Sequence, residues 1–175
     1  SDLAVNVYEA LCEAGADLGV QPAGFFALDS LRVEKGYRHL GHDIGAADDP
    51  YTAGLAFAVD LSADANFIGA QALAKIDRTA LKNRTVFLAL EDPDTILTHD
   101  ETLFANGHQV GHVTSSAFGH TLGRTVGLGV IERSVDLDAD FSLRSMGHDY
   151  PVTVSTRPFY DPDNSRMLAA QEMER

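Results

Sequence analysis

The chain has one cysteine, three lysines and no long apolar run, and each scarcity narrows what it is. A lone Cys12 cannot close an intramolecular disulfide, which makes a cytoplasmic protein the default expectation. With Val7, Tyr8 and Leu11 around it, Cys12 reads as a buried packing residue rather than a nucleophile. No stretch approaches the ~20 consecutive apolar residues of a membrane span, and the opening residues carry no signal-peptide pattern. Basic residues are few: 13 Lys and Arg stand against 26 Asp and Glu, giving a formal net charge of −13 and a pI near 4.7. Such a field repels a phosphate backbone or an anionic bilayer, so neither nucleic acid nor membrane is an expected partner.

Several catalytic patterns are missing as well. His-Glu-x-x-His and paired Cys/His spacings do not occur, so no metal site is expected. His39 and His42 stand i, i+3, while His108 and His112 stand i, i+4. The second pair falls in an expected strand, about 13 Å apart along it, too far for one ion. Gly-x-Ser-x-Gly is absent, so Thr114, Ser115 and Ser116 near His120 read as hydroxyls lining a turn. The glycines from Gly119 to Gly129 do not spell Gly-x-Gly-x-x-Gly before a helix, which removes a dinucleotide fold. No residue of this chain is assigned a catalytic role.

With 175 residues, 45% of them hydrophobic, a sizeable core is available. Leu3, Val7, Tyr8, Leu11 and Cys12 recur at helical spacing, with Glu9 and Glu13 outside them. A second helix is expected ahead of Gly36, in which Asp29, Leu31 and Val33 with the flanking Phe25 and Phe26 make one buried face. Gly36 stops it, because glycine adopts a left-handed C′ conformation without steric cost. Ala53–Val59 alternates small and large residues like a buried strand, and Phe67–Ile76 reads as a short helix. From residue 83 the pattern becomes strand-like: Thr85–Leu90, Glu101–Ala105, His108–Ser115, Arg124–Ile131, Phe141–Ser145 and His148–Ser155. Asn106-Gly107 marks a tight hairpin between two of them. The class is α+β, a helical N-terminal segment followed by a small antiparallel barrel or sandwich. A single strand at 53–59 lacks a partner in its own segment, which suggests that the segment is incomplete. The tail after Asp161 is expected to fray, with Phe159 and Tyr160 anchoring its start.

Arg32 carries the main functional lead. Glu34 lies two residues on, leaves the other side of the helix and cannot pair with it. A guanidinium on a largely buried face needs an anion, supplied either by a carboxylate of the protein or by a ligand. Arg38 and His39 beyond Gly36 add positive potential nearby.

These same residues carry a resemblance. Ala27-Leu28-Asp29-Ser30-Leu31-Arg32-Val33-Glu34-Lys35-Gly36-Tyr37, followed by His39-Leu40-Gly41-His42-Asp43-Ile44, resembles a segment of the glycine-cleavage T-proteins (aminomethyltransferases). It is also similar to the folate-binding C-terminal portions of dimethylglycine and sarcosine dehydrogenases. Pro50–Val59, Asn66–Leu73 and Gly111–Ser116 running to Leu128–Ile131 follow in the family's order. The Glu-Lys-Gly-Tyr-Arg-His wording stands nearer the dehydrogenase branch. The resemblance implies residues 1–80 as the C-terminal part of an aminomethyltransferase folate-binding domain, an incomplete α/β segment. It implies residues 81–161 as the family's C-terminal β-barrel, with 162–175 as a tail.

The resemblance also implies a function. Such enzymes move a one-carbon unit onto N5 of tetrahydrofolate, giving 5,10-methylenetetrahydrofolate. In the dehydrogenase branch an FAD domain first oxidises an N-methylamine such as sarcosine or dimethylglycine. Arg32 is implied as a folate ligand, with Tyr37, His39 and Ser115 as further folate-pocket candidates. A pocket tyrosine of the T-proteins falls at Leu40. The family's catalytic aspartate lies upstream of the matching segment, so the resemblance implies a fragment whose partners are folate and the rest of a parent chain. Two alternatives stand beside this: a non-catalytic folate-binding or scaffold module, and a tetrahydrofolate-dependent demethylase of another substrate.

Overall fold

In the computed structural model, which describes residues 2–62 and 66–172, six strands close on themselves. They are β1 (Asn83–Leu90), β2 (Thr102–Ala105), β3 (His108–Gly119), β4 (Arg124–Glu132), β5 (Phe141–Ser145) and β6 (His148–Ser155). Their order around the barrel is β1-β4-β3-β2-β5-β6, every pairing antiparallel, and β1 closes it by pairing with both β4 and β6. Closure leaves no exposed ladder edge. Val86, Leu88 and Leu90 of β1 point into the barrel with Leu103, Val113, Ile131, Leu143 and Val152. Phe87 and Ala89, on the opposite face, join Val126, Leu128 and Val33 in a second core under a helix. With both faces covered, β1 reads as a continuous apolar run instead of alternating.

Helix α1 spans Ala4–Gly15 and α2 spans Phe25–Lys35. Helix α2 lies across β3 and β4 and is pinned to them by polar contacts as well as by Val33. Ser30 Oγ donates to the Phe118 carbonyl at 2.6 Å. The buried Glu34 carboxylate accepts from the amides of Thr121 and Leu122 at 2.8 and 2.9 Å. Gly36 ends the helix at φ 78°, with the Tyr37 amide donating back to the Arg32 carbonyl at 2.7 Å. A Cβ there would lie 2.3 Å from Phe87 Cε1, so glycine answers a steric need as well as a conformational one.

Several expectations need correction. The buried face of α2 is Ser30, Val33 and Glu34, whereas Phe25, Phe26, Leu28 and Leu31 are exposed. A hydrophobic stripe therefore faces outward and the docked face is half polar. Helix α1 buries Gly15 alone, and Cys12 is half-buried without a core around it. Residues 53–59 are no strand. Asp49 caps a turn by accepting from the amides of Tyr51 and Thr52 at 2.8 and 2.9 Å, and a 3-10 turn follows at Ala56–Ala58. Side-chain capping there outcompetes the alternating pattern, so residues 53–59 leave no strand in want of a partner. The helix expected over Phe67–Ile76 shortens to α3, Ala70–Ala74. The tail folds into α4, Ser165–Glu172, whose start is held by Asp161 Oδ1 accepting from Ser165 Oγ at 2.8 Å.

Candidate functional site

Strand β3 carries a bulge between Val113 and Ser115. Adjacent strand residues normally face opposite ways, but a bulge breaks that alternation. Val113, Thr114 and Ser115 are all buried in succession, and the hydroxyls of Thr114 and Ser115 both reach the underside of α2. They lie within β3, as the expected strand His108–Ser115 has it, and do not line a turn.

There they meet Arg32. Its Nη1 donates to Asp43 Oδ2 at 2.5 Å, its Nη2 to Ser115 Oγ at 2.9 Å, and its Nε to Asp29 Oδ1 at 2.7 Å. Asp43, whose side chain is fully buried, also accepts from the His39 amide at 2.8 Å and from Thr114 Oγ1 at 2.6 Å. Both of its oxygens are thus satisfied, the condition under which a buried carboxylate is tolerated. The sequence left two anions open for Arg32; the structure supplies protein carboxylates, Asp43 inside and Asp29 at the rim.

The junction opens on a groove with three adjoining cavities. One of about 210 Å³ is lined by Arg32, Asp29, His39, His42, His99 and Ser115. The imidazoles of His39 and His42 stack with centroids 4.6 Å apart, and His42 meets His99 edge-on at 6.4 Å. A second cavity of about 250 Å³ runs from Phe25 and Arg32 past Tyr37 to Arg38. A third, about 500 Å³, has apolar walls of Ile44, Leu55, Phe57 and Phe87 together with Tyr37 and Arg38.

Arg38 fastens this third chamber. It donates to the carbonyls of Ala53, Gly36 and Gly54 at 3.0, 2.9 and 3.3 Å, and its guanidinium sits 5.1 Å from the Phe87 ring centre. Burial pushes its pKa down, against a pull upward from the Asp43 charge. Across the mouth, Lys35 Nζ donates to Asp161 Oδ2 at 3.0 Å. Burial would raise the Asp161 pKa, but hydrogen bonds from Ser165, Lys35 and the Arg166 amide outweigh it and hold the carboxyl at about 2.

Of the four residues expected at a pocket, Arg32, His39 and Ser115 converge on the smallest chamber, and Tyr37 lines the other two. Sequence reasoning missed Thr114, His42 and His99 as parts of the same groove, and Asp43 as the buried carboxylate beneath it. Asp43 had a signal, an acid inside the quoted Gly-His-Asp run. Nothing in the chain's periodicity marks it as buried.

Two family models match this chain. The GCVT N-terminal domain covers residues 1–63, and the glycine cleavage T-protein C-terminal barrel domain covers residues 83–161. The chain belongs to the glycine cleavage T-protein family. Among T-protein relatives, 4-methylaminobutanoate oxidase (formaldehyde-forming) of Paenarthrobacter nicotinovorans is 55% identical over 95% of this chain and 20% of its own length. Mitochondrial sarcosine dehydrogenase of Mus musculus is 38% identical over 92% of this chain and 18% of its own. The crystal structure of the glycine cleavage system aminomethyltransferase T from Bartonella henselae superposes with a TM-score of 0.76. It is 28% identical, and the match covers 90% of this chain and 45% of that one. The chain thus spans about a fifth of the length of these curated relatives. Among the described residues, no helix is long and apolar enough to cross a membrane.

Proposed function

We propose that this chain forms one wall of a tetrahydrofolate site in a longer enzyme that moves a one-carbon unit from an N-methylated amino acid onto the folate. The observation that carries the reading is Arg32, fixed from beneath by Asp43 and Ser115 while it lines two chambers of the groove. The lining suits a reduced folate: Phe57, Phe87, Tyr37 and Leu55 offer apolar walls for ring systems. Arg32 and His39 offer donors for acceptor or carboxylate groups. When bound, tetrahydrofolate supplies the nitrogen nucleophile that accepts the one-carbon unit. Arg32, Tyr37, His39 and Ser115 serve to bind and orient it, and no proton-transfer role falls to this chain.

The similarity to an oxidase and a sarcosine dehydrogenase supports a parent in which FAD first oxidises the N-methyl group. The parent's flavin would sit outside this chain, in keeping with the missing Gly-x-Gly-x-x-Gly pattern. The substrate class is a carboxylate-bearing secondary or tertiary N-methylamine: sarcosine, dimethylglycine or a longer homologue such as 4-methylaminobutanoate. A cytoplasmic parent belongs to the same reading.

Titrating tetrahydrofolate into the full-length parent by calorimetry tests the site, with Arg32→Ala as the control. Saturable binding by the parent that weakens in the variant is expected. A parent that takes up no tetrahydrofolate overturns the reading, and a parent without visible flavin absorption overturns its oxidative half.

A further inference from the structure

The two carboxylate partners of Arg32 are not equivalent. Asp43 is fully buried and holds three hydrogen bonds at once, to Arg32, to the His39 amide and to Thr114. Asp29 is 39% exposed in its side chain and sits at i, i+3 on the same helix, at the rim of the 210 Å³ chamber. One of its oxygens, Oδ1, takes both Nε and Nη2 of Arg32, at 2.7 and 2.6 Å. That is the Nε–Nη2 edge of the guanidinium, the edge that forks onto a carboxylate. With Asp29 and Asp43 both in place the trio carries a net charge of −1, so an anion arriving at Arg32 is repelled unless one carboxylate leaves.

We propose that Asp29 is an internal stand-in for a ligand carboxylate and sets what the groove accepts. It occupies the Nε–Nη2 edge of Arg32 in the free protein and is displaced when a carboxylate-bearing ligand takes that edge, while Asp43 stays. The proposal rests on the reading of Arg32 as a folate contact. Charge-assisted hydrogen bonds are about twice as strong as neutral ones. Exchanging Asp29 for a neutral carbonyl therefore loses energy, whereas exchanging carboxylate for carboxylate comes close to balance. Asp29 can swing into water at little cost because it is already exposed. Asp43 cannot, since leaving would orphan Thr114 and the His39 amide. Asp29 acts through Arg32 and is a positioning residue, one whose charge competes with an anionic ligand and sets how tightly that ligand is held.

The test uses the full-length parent and two probes: 5-formyltetrahydrofolate, which carries two carboxylates, and 6-methyltetrahydropterin, which carries none. Asp29→Asn removes the competing charge and keeps the side-chain shape; Asp29→Glu restores the charge. The Asn variant is expected to bind 5-formyltetrahydrofolate about 5- to 50-fold more tightly, with the pterin unchanged within twofold and the Glu variant back near wild type. An Asn variant that binds the folate equally or more weakly, with wild type binding well, makes Asp29 a plain structural partner and overturns the proposal. A wild-type parent that binds neither probe overturns the folate reading itself, which is a different result.

Discussion

Arg32 and Asp43 stand 11 residues apart in the chain and 2.5 Å apart in space, Nη1 to Oδ2, with the aspartate side chain wholly out of solvent. That pair joins α2 to the loop after it and, through Thr114 and Ser115, to the bulge of β3. Removing one member of a buried ion pair costs about 3–5 kcal/mol, because the other is left uncompensated. Asp43→Ala should therefore lower unfolding stability by that amount, read from urea denaturation. The shape-preserving Asp43→Asn should cost about 1–3 kcal/mol. A loss under 0.5 kcal/mol for the alanine variant would mean that the pair does not hold the wall together.

Arg32 itself should show two effects at once. Arg32→Ala should weaken tetrahydrofolate binding by about 1.5–3 kcal/mol, the scale of a hydrogen bond to a charged group, and should also lower the melting temperature. Arg32→Lys keeps the charge but cannot span Asp29, Asp43 and Ser115 from one planar head, so it should recover little of the affinity. Unchanged affinity in a variant of lowered melting temperature would reduce Arg32 to an internal salt bridge.

Gly36 is held by conformation and by Phe87 together. An alanine at φ 78° carries about 1–2 kcal/mol of left-handed strain, and its Cβ would sit 2.3 Å from the Phe87 ring. Overpacking of this kind adds about 1–3 kcal/mol. Gly36→Ala should destabilise by the sum of the two, and the second core of Val33, Phe87 and Leu128 should lose order in near-ultraviolet circular dichroism. If Gly36→Ala unfolds at the wild-type urea midpoint, the tight approach of helix end to barrel is wrong.

Held against the effect of burial by Ser165, Lys35 and the Arg166 amide, the Asp161 carboxylate has a pH signature. The folded Asp161 carboxyl lies at about 2, below the ordinary aspartate value of about 3.9 in the unfolded chain. The unfolded state thus binds the proton more readily, so the contribution is complete above about pH 5 and is lost as the pH falls from about 4 toward 2. In Asp161→Asn that part of the pH dependence should vanish, measured as urea midpoints of both proteins between pH 2 and 6. Parallel profiles would show that the tail is fastened by something else.

Much of this molecule was legible before it was folded. Six strands in their order, the hairpin at Asn106-Gly107 and the end of α2 at Gly36 follow from short-range chemistry, because turns and caps are decided by residues a few places apart. Two errors share a cause. The run at 53–59 alternates like a strand, yet Asp49 captures the preceding backbone amides first. The apolar positions of α2 pointed to the wrong face, because Ser30 and Glu34 dock by hydrogen bonds to the Phe118 carbonyl and to the amides of Thr121 and Leu122, which periodicity cannot register. The family was legible too, through four ordered motifs.

By itself the sequence determined that Arg32 must meet an anion, since an unpaired guanidinium on a docked helix is too costly. Only the tertiary structure decided which one. A bulge in β3 turns two consecutive hydroxyls inward, a loop carries Asp43 beneath the helix, and Asp29 stays at the rim. The first two placements depend on strand register and loop closure between residues more than 70 positions apart, Thr114 with Asp43 and Ser115 with Arg32, distances over which a linear pattern holds no record of contact.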